Sequence, residues 1–204
     1  PGATVGDALV GDPRVDKISF TGDSTTGAGI LRRVADNMTR VSLELGGKSA
    51  AIVFADADLD AATEAIPYSV FANAGQDCCA RSRLLVERSV YDEVVARVAE
   101  RTEQPRVGDP TRESTEIGPM ISEGQRATAI EYLSVGRGEG GEVVCGGASS
   151  GPGWFLSPAV VARVDNTMRI AREEIFGPVL TVIPFDDEAD AVRIANDSEY
   201  GLSG

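Results

Sequence analysis

Apolar side chains recur along this chain at two spacings, one proper to strands and one to helices, and the two alternate from end to end. Residues 15–21 (VDKISFT) predict a strand that stops at Gly22. Beyond Gly27, Ile30, Leu31, Val34 and Met38 fall on one helical face. VSLEL (41–45) predicts a strand stopped by Gly46-Gly47, and SAAIVF (49–54) predicts another. A helix follows, capped by Asp56 or Asp58, and Pro67 is expected to kink or restart it. SRLLVE (82–87) reads as a strand. The next helix, about 89–104, carries Tyr91, Val94, Val95 and Val98 at helical spacing. A further helix is expected over about 122–136, then a strand over 142–147, a turn at SSGPGW and a strand within SPAVVARV. TMRIAREE reads as a short helix, PVLTVIPF as a strand and DEADAVRIAND as a last helix. Strands and helices in regular alternation imply an α/β fold with a mainly parallel sheet.

Composition narrows the chemistry. The formal net charge is −13 over 204 residues, which opposes nucleic acid and anionic membrane surfaces. No apolar run approaches the roughly 18 residues of a membrane span. No signal peptide is visible, and Pro1 and Gly204 read as positions inside a longer protein. Three cysteines, two of them adjacent and none in a CxxC, form neither a disulfide framework nor a zinc site, so a reducing cytoplasm is the expected setting. The absence of histidine matters most. It removes Ser-His-Asp and Cys-His hydrolases and His-containing metal sites from consideration within this segment.

Any nucleophile must therefore be activated another way. Cys78 lies in ANAGQDCCARSR between a helix and a strand, in a setting of small and polar residues, and is either a reactive thiol or an inert buried one. Cys145, within an apolar strand, reads as structural. Glu44 is a single acid in a short apolar strand. Pointing inward, it would be desolvated into a competent base; on the outer face it would be a solvated surface residue. Gly22, Asp23, Ser24 and Gly27 join a strand to a helix N-terminus, where a phosphate is favoured or where Asp23 or Ser24 simply caps the helix. GRGEGG (136–141) spells the dinucleotide fingerprint, but between a helix and a strand, the reverse of the required context, and is read as a loop. EEIFGP (173–178) links a helix end to a strand.

Taken together and in this order, FTGDSTTG (20–27), LELGGK (43–48), GQDCCARSR (75–83), VGDP (107–110), GPMI (118–121), EEIFGPVL (173–180) and YGLSG (200–204) resemble the aldehyde dehydrogenase superfamily. The resemblance covers essentially the whole chain. It implies a three-layer α/β catalytic domain with a mainly parallel sheet, beside the tail of a Rossmann-like cofactor domain. Residues 1–46 would be that tail and 47–204 most of the catalytic domain, with the active site in a tunnel between them. It places the nucleophile at Cys78, with its own backbone N–H in the oxyanion hole, and the general base at Glu44. Gly22, Asp23, Ser24 and Gly27 would meet the cofactor, the Leu45 carbonyl would orient the nicotinamide amide, Glu174 would accept from the nicotinamide ribose and Phe176 would pack near the ring. NAD and NADP stay equally open. The substrate would be an aldehyde, and the full-length protein a homo-oligomer.

Two residues depart from the family pattern. Asp23 stands where many members carry a serine that meets the pyrophosphate, and a carboxylate there repels phosphate. Arg81 adds a cation just after the nucleophile, either lowering the thiol's pKa or lying solvated on the surface. An acylating or semialdehyde dehydrogenase is the enzymatic alternative, against which Glu44 speaks. The non-enzymatic alternatives are an inactive piece, since the upstream oxyanion Asn and half of the cofactor cleft lie outside these 204 residues, and a structural protein.

Overall fold

The computed structural model describes residues 2–204 and divides them into two units that meet in sequence between Gly46 and Gly47. In the first, a short helix α1 (Asp7–Val10) precedes β1 (Lys17–Thr21), α2 (Ser24–Val34) and β2 (Arg40–Glu44). β1 and β2 pair in parallel, with Thr21 opposite Glu44. α2 starts earlier than the apolar spacing suggested, because the Asp23 carboxylate accepts the Thr26 N–H at 2.9 Å and so caps the helix at Ser24. Its buried face is Gly27, Ile30 and Val34. Leu31 and Met38, expected on that face, are exposed. Met38 lies past the helix in the left-handed conformation that ends a 3-10 turn, so helical spacing no longer applies to it.

The second unit is built on a five-stranded sheet. Its elements run β3 (Ala50–Val53), α3 (Leu59–Phe71), β4 (Arg83–Glu87), α4 (Tyr91–Thr102), α5 (Glu123–Gly138), β5 (Glu142–Cys145), β6 (Ser149–Ser150), β7 (Phe155–Leu156), β8 (Ala159–Ala162), α6 (Arg169–Arg172), β9 (Val179–Phe185) and α7 (Glu188–Asn196). Strand order is β3-β4-β9-β8-β5; the first four are parallel to their neighbours and β5 is antiparallel. Leu84, Leu85 and Val86 of β4 and Val160, Val161, Leu180 and Val182 of β8 and β9 are all but inaccessible. Consecutive residues of a strand point to opposite faces, so both faces are covered and the continuous apolar runs are explained. The helices pack through the predicted stripes, Tyr91, Val94 and Val98 of α4 among them.

Three expectations change. α3 begins where Asp58 accepts the Ala61 N–H and runs through Pro67 to Phe71 without restarting, its Pro67 ring buried. α5 continues to Gly138, so the first two glycines of GRGEGG belong to a helix end and only the remainder is loop. SSGPGW holds the β6 strand of a two-stranded antiparallel hairpin with β7 as well as a turn. Among the described residues no helix is long and apolar enough to cross a membrane.

Candidate active site

β3, β4 and β9 are adjacent and parallel, so the segments that lead into them reach the same edge of the sheet. These are residues 47–49, 76–82 and 174–178, the three segments of the second unit that carry the singled-out chemistry. Ligands of open parallel sheets usually sit beyond the carboxyl ends of the strands; here the reactive residues gather at the amino ends. A cavity of about 760 Å³ does lie at the opposite edge, lined among others by Arg88, Tyr91, Arg163, Asp186, Asp190 and Arg193. It holds no thiol, and Arg88 and Arg193 are matched there with Asp186 and Asp190.

The three segments interlock through the backbone. The Gly47 N–H donates to Glu174 Oε1 at 3.1 Å, across 127 residues of sequence. Gly47 also passes so close to the Cys78 loop that a Cβ there would lie 2.3 Å from the Cys78 carbonyl oxygen. Asn73, Ala74 and Gly75 form a left-handed turn, with φ of 54°, 57° and 69°, which turns the chain out of α3 toward Cys78. Such a run costs on the order of 1–3 kcal/mol for each non-glycine residue. Mutual bonds hold it: Asn73 Nδ2 donates to the Gln76 carbonyl at 2.9 Å, and Gln76 Nε2 to the Asn73 carbonyl at 3.0 Å. Gln76 Oε1 then accepts the Ile121 N–H at 2.8 Å, tying GQDC to GPMI.

Cys78 is half-buried and Cys79 is exposed, with their sulfurs 4.0 Å apart. Burial pushes the Cys78 thiol up, and the Cys79 thiol and the Asp77 charge push the same way. Arg81, considered above either as a cation that lowers the thiol's pKa or as solvated surface, is exposed. Cys145 is buried in β5, as its apolar neighbours implied.

Phe176 carries φ +53°, a strained conformation for a bulky residue, and holds its ring partly exposed. Gln125 of α5 fixes this loop, donating through Nε2 to the Ile175 carbonyl at 2.8 Å and the Phe176 carbonyl at 3.1 Å. Glu173, next to Glu174, accepts from Tyr132 and from Arg169. These partners hold its carboxyl down at about 2, Arg169 contributing most.

Sequence reasoning assigned no role to Lys48 or Arg83, although both lie in quoted motifs. Arg83 is buried and fully engaged: Nε donates to the Lys48 carbonyl at 2.9 Å, Nη1 to Asn166 Oδ1 and the Ile194 carbonyl, and Nη2 to the Ala195 carbonyl. It staples the start of β4 to the 47–49 segment and to the end of α7. Lys48 is 2% exposed, and its Nζ has no hydrogen-bond partner among the described residues. Burial pushes the ammonium down to about 7, Arg83 adds repulsion, and Glu174 and Glu173 oppose both. A long cation inside a Gly-Gly-Lys turn was the available signal.

In the first unit, Glu44 ends β2 with its side chain exposed, on the same face as Ser42. The inward orientation is thus not adopted, because strand alternation assigns the inner face to Val41 and Leu43. The Glu44 carbonyl accepts the Gly22 N–H at 3.0 Å, holding the 22–27 turn against the strand end, and Leu45 is half-buried. Asp23 and Ser24 are exposed at the α2 N-terminus. Asp23 also accepts the Thr26 hydroxyl at 2.6 Å, and Thr26's hydrogen bonds hold its carboxyl below the usual range.

These features suit part of a nicotinamide dinucleotide. An anchored carboxylate, Glu174, is an acceptor suited to ribose hydroxyls, and the Phe176 ring offers an apolar face. In the first unit, a carboxylate at Asp23 would oppose a phosphate placed at the α2 N-terminus.

All 204 residues match the aldehyde dehydrogenase family. The chain is 49% identical over 201 residues to a geranial dehydrogenase of Castellaniella defragrans, covering 98% of this chain and 42% of that protein. A betaine aldehyde dehydrogenase of Staphylococcus aureus, solved with NAD+, superposes with a TM-score of 0.95 at 39% identity, over 98% of this chain and 41% of that one. An aldehyde dehydrogenase of Pseudomonas syringae, solved as a mutant with NAD+ and octanal, superposes equally well (TM-score 0.95, 40% identity, 98% of this chain and 42% of the other). The chain thus spans about two fifths of the length of these relatives.

Proposed function

This chain belongs to the aldehyde dehydrogenase family, and from that membership we propose that the protein oxidises an aldehyde to the carboxylic acid, with Cys78 as nucleophile and Glu44 as general base. One observation carries the reading: the parallel order β3-β4-β9 gathers Gly47, Cys78 and Glu174 at a single sheet edge, with Glu174 anchored on the Gly47 N–H.

The residues divide the work as follows. The Cys78 thiolate attacks the aldehyde carbon and gives a thiohemiacetal, whose oxyanion is met by the Cys78 N–H. NAD or NADP, when bound, supplies the hydride acceptor; relatives solved with NAD+ favour the former. Glu174 would hold the nicotinamide ribose, Phe176 would pack near the ring, the Leu45 carbonyl would orient its amide, and Gly22, Asp23, Ser24 and Gly27 would line the pyrophosphate. Oxidation leaves a thioester on Cys78. Glu44 then takes a proton from the water that hydrolyses it, a task for which an exposed carboxylate retains access to solvent. In this reading, residues 1–46 are the end of a cofactor-binding domain and 47–204 the catalytic domain. The protein assembles as a homo-oligomer, and a reducing cytoplasm keeps its thiols available.

Rapid-mixing kinetics on the full-length protein test this. Glu44→Gln should give one stoichiometric burst of reduced cofactor followed by slow turnover, and Cys78→Ser should give no burst. Unimpaired steady turnover by Glu44→Gln removes that residue from the mechanism.

A further inference from the structure

Asp77, Cys78 and Cys79 offer a carboxylate oxygen and two sulfurs, all within 4.8 Å of one another. Against the expectation from cysteine spacing, we propose that these three residues form a site for a thiophilic divalent cation, Zn2+ in the first instance, whose occupation removes the Cys78 sulfur from nucleophilic attack. The metal site needs only this geometry; the inhibition rests on the reading of Cys78 as nucleophile.

Distances decide between the two things a pair of neighbouring thiols can do. A tetrahedral zinc with bonds of about 2.3 Å to each sulfur holds the two sulfurs about 3.8 Å apart. The sulfurs of Cys78 and Cys79 already stand at 4.0 Å, so a bridging ion requires almost no movement. A disulfide would have to bring them to about 2.05 Å, and neighbouring residues joined by a trans peptide keep their Cα atoms about 3.8 Å apart, below the usual disulfide range of roughly 4.4–6.8 Å. No peptide bond among the described residues is cis. The one-atom bridge is the fitting arrangement.

The third ligand is also in place. Asp77 Oδ1 accepts the Cys79 N–H at 2.9 Å, which turns the carboxylate back over the dithiol. Asp77 and Cys79 are exposed in this chain, and the three ligand atoms already lie within 4.8 Å of one another. Two soft thiolates with one carboxylate select zinc-like ions over magnesium or calcium. The net charge of −13 draws cations toward the surface. Binding releases the thiol protons to solvent, changes no oxidation state, and leaves one coordination position for water.

Cobalt(II) is the probe. Titrated into the reduced full-length protein without oxygen, it should bind at one equivalent, with the near-ultraviolet absorption of a sulfur–cobalt bond, and zinc should displace it. Cys79→Ser should abolish that absorption, Asp77→Asn should weaken binding, and Cys145→Ser should leave it unchanged. No sulfur–cobalt absorption, undiminished binding by Cys79→Ser, or a loss of two titratable thiols in place of binding would overturn the site. A second arm measures turnover. Zinc should inhibit the wild-type enzyme reversibly, with recovery on adding chelator, and should spare Cys79→Ser. Equal inhibition of both proteins overturns the proposal. A wild-type protein with no dehydrogenase activity defeats the function proposed above and leaves the cobalt result to judge the site.

Discussion

Gly75 and Gly177 meet so closely that a methyl group on Gly75 would stand 2.2 Å from the Gly177 carbonyl oxygen. Through this contact the loop that presents Cys78 and the loop that presents Glu174 and Phe176 share one backbone seam. Gly75 also has φ +69°, so it meets two requirements that only glycine satisfies together.

Gly75→Ala should therefore destabilise the protein by roughly 3 kcal/mol or more, combining a backbone clash with left-handed strain. Gly138→Ala places the same methyl group in open space at the end of α5 and should change stability by less than about 1 kcal/mol. Urea denaturation of both variants checks the contrast. The rate of Cys78 alkylation should shift in Gly75→Ala alone.

Asp23 caps α2 by accepting the Thr26 N–H, and a carboxylate there is expected to oppose a phosphate. Asp23→Ser keeps a capping oxygen and removes the charge, so cofactor should bind severalfold more tightly at nearly unchanged stability. Asp23→Ala should lose about 1 kcal/mol of stability with the cap. Fluorescence titration of the full-length protein with NAD and NADP, beside thermal unfolding, separates the two effects. Unchanged affinity in Asp23→Ser would mean that the carboxylate does not repel the cofactor's phosphates.

Lys48 predicts a pH dependence of stability. Its folded-state pKa is about 7 against an ordinary 10.5. Between those values the unfolded chain keeps a proton that the folded chain has released, so stability must rise with pH. The rise should reach about 2 kcal/mol between pH 7 and 9. Above pH 9 the raised Cys145 thiol works in the opposite direction, since the unfolded chain then loses its proton first. Denaturation at a series of pH values should show this slope in the wild type. Lys48→Met should lack it.

Much of the architecture was readable along the chain because hydrophobic spacing records which side of an element is buried. Tyr91, Val94 and Val98 identified the inner face of α4, and the largely apolar run of 178–185 identified a strand, whose burial on both sides only the structure revealed. The misplacements have local physical causes. Met38 lay past a left-handed helix end, Pro67 was absorbed within α3, and α5 ran two residues into its glycines. Glu44 was identified as a candidate by its motif, but its side chain took the exposed face because alternation gave the inner one to Val41 and Leu43.

Residue order alone thus determined the elements, the family resemblance and the segments carrying Cys78 and Glu174. The tertiary structure alone decided that those segments meet. Strand order and register are chosen by packing among all five strands at once, and no local pattern encodes that choice. The same nonlocal packing set the Gly47 N–H on Glu174, buried Lys48 beside Arg83, and locked Gly75 against Gly177.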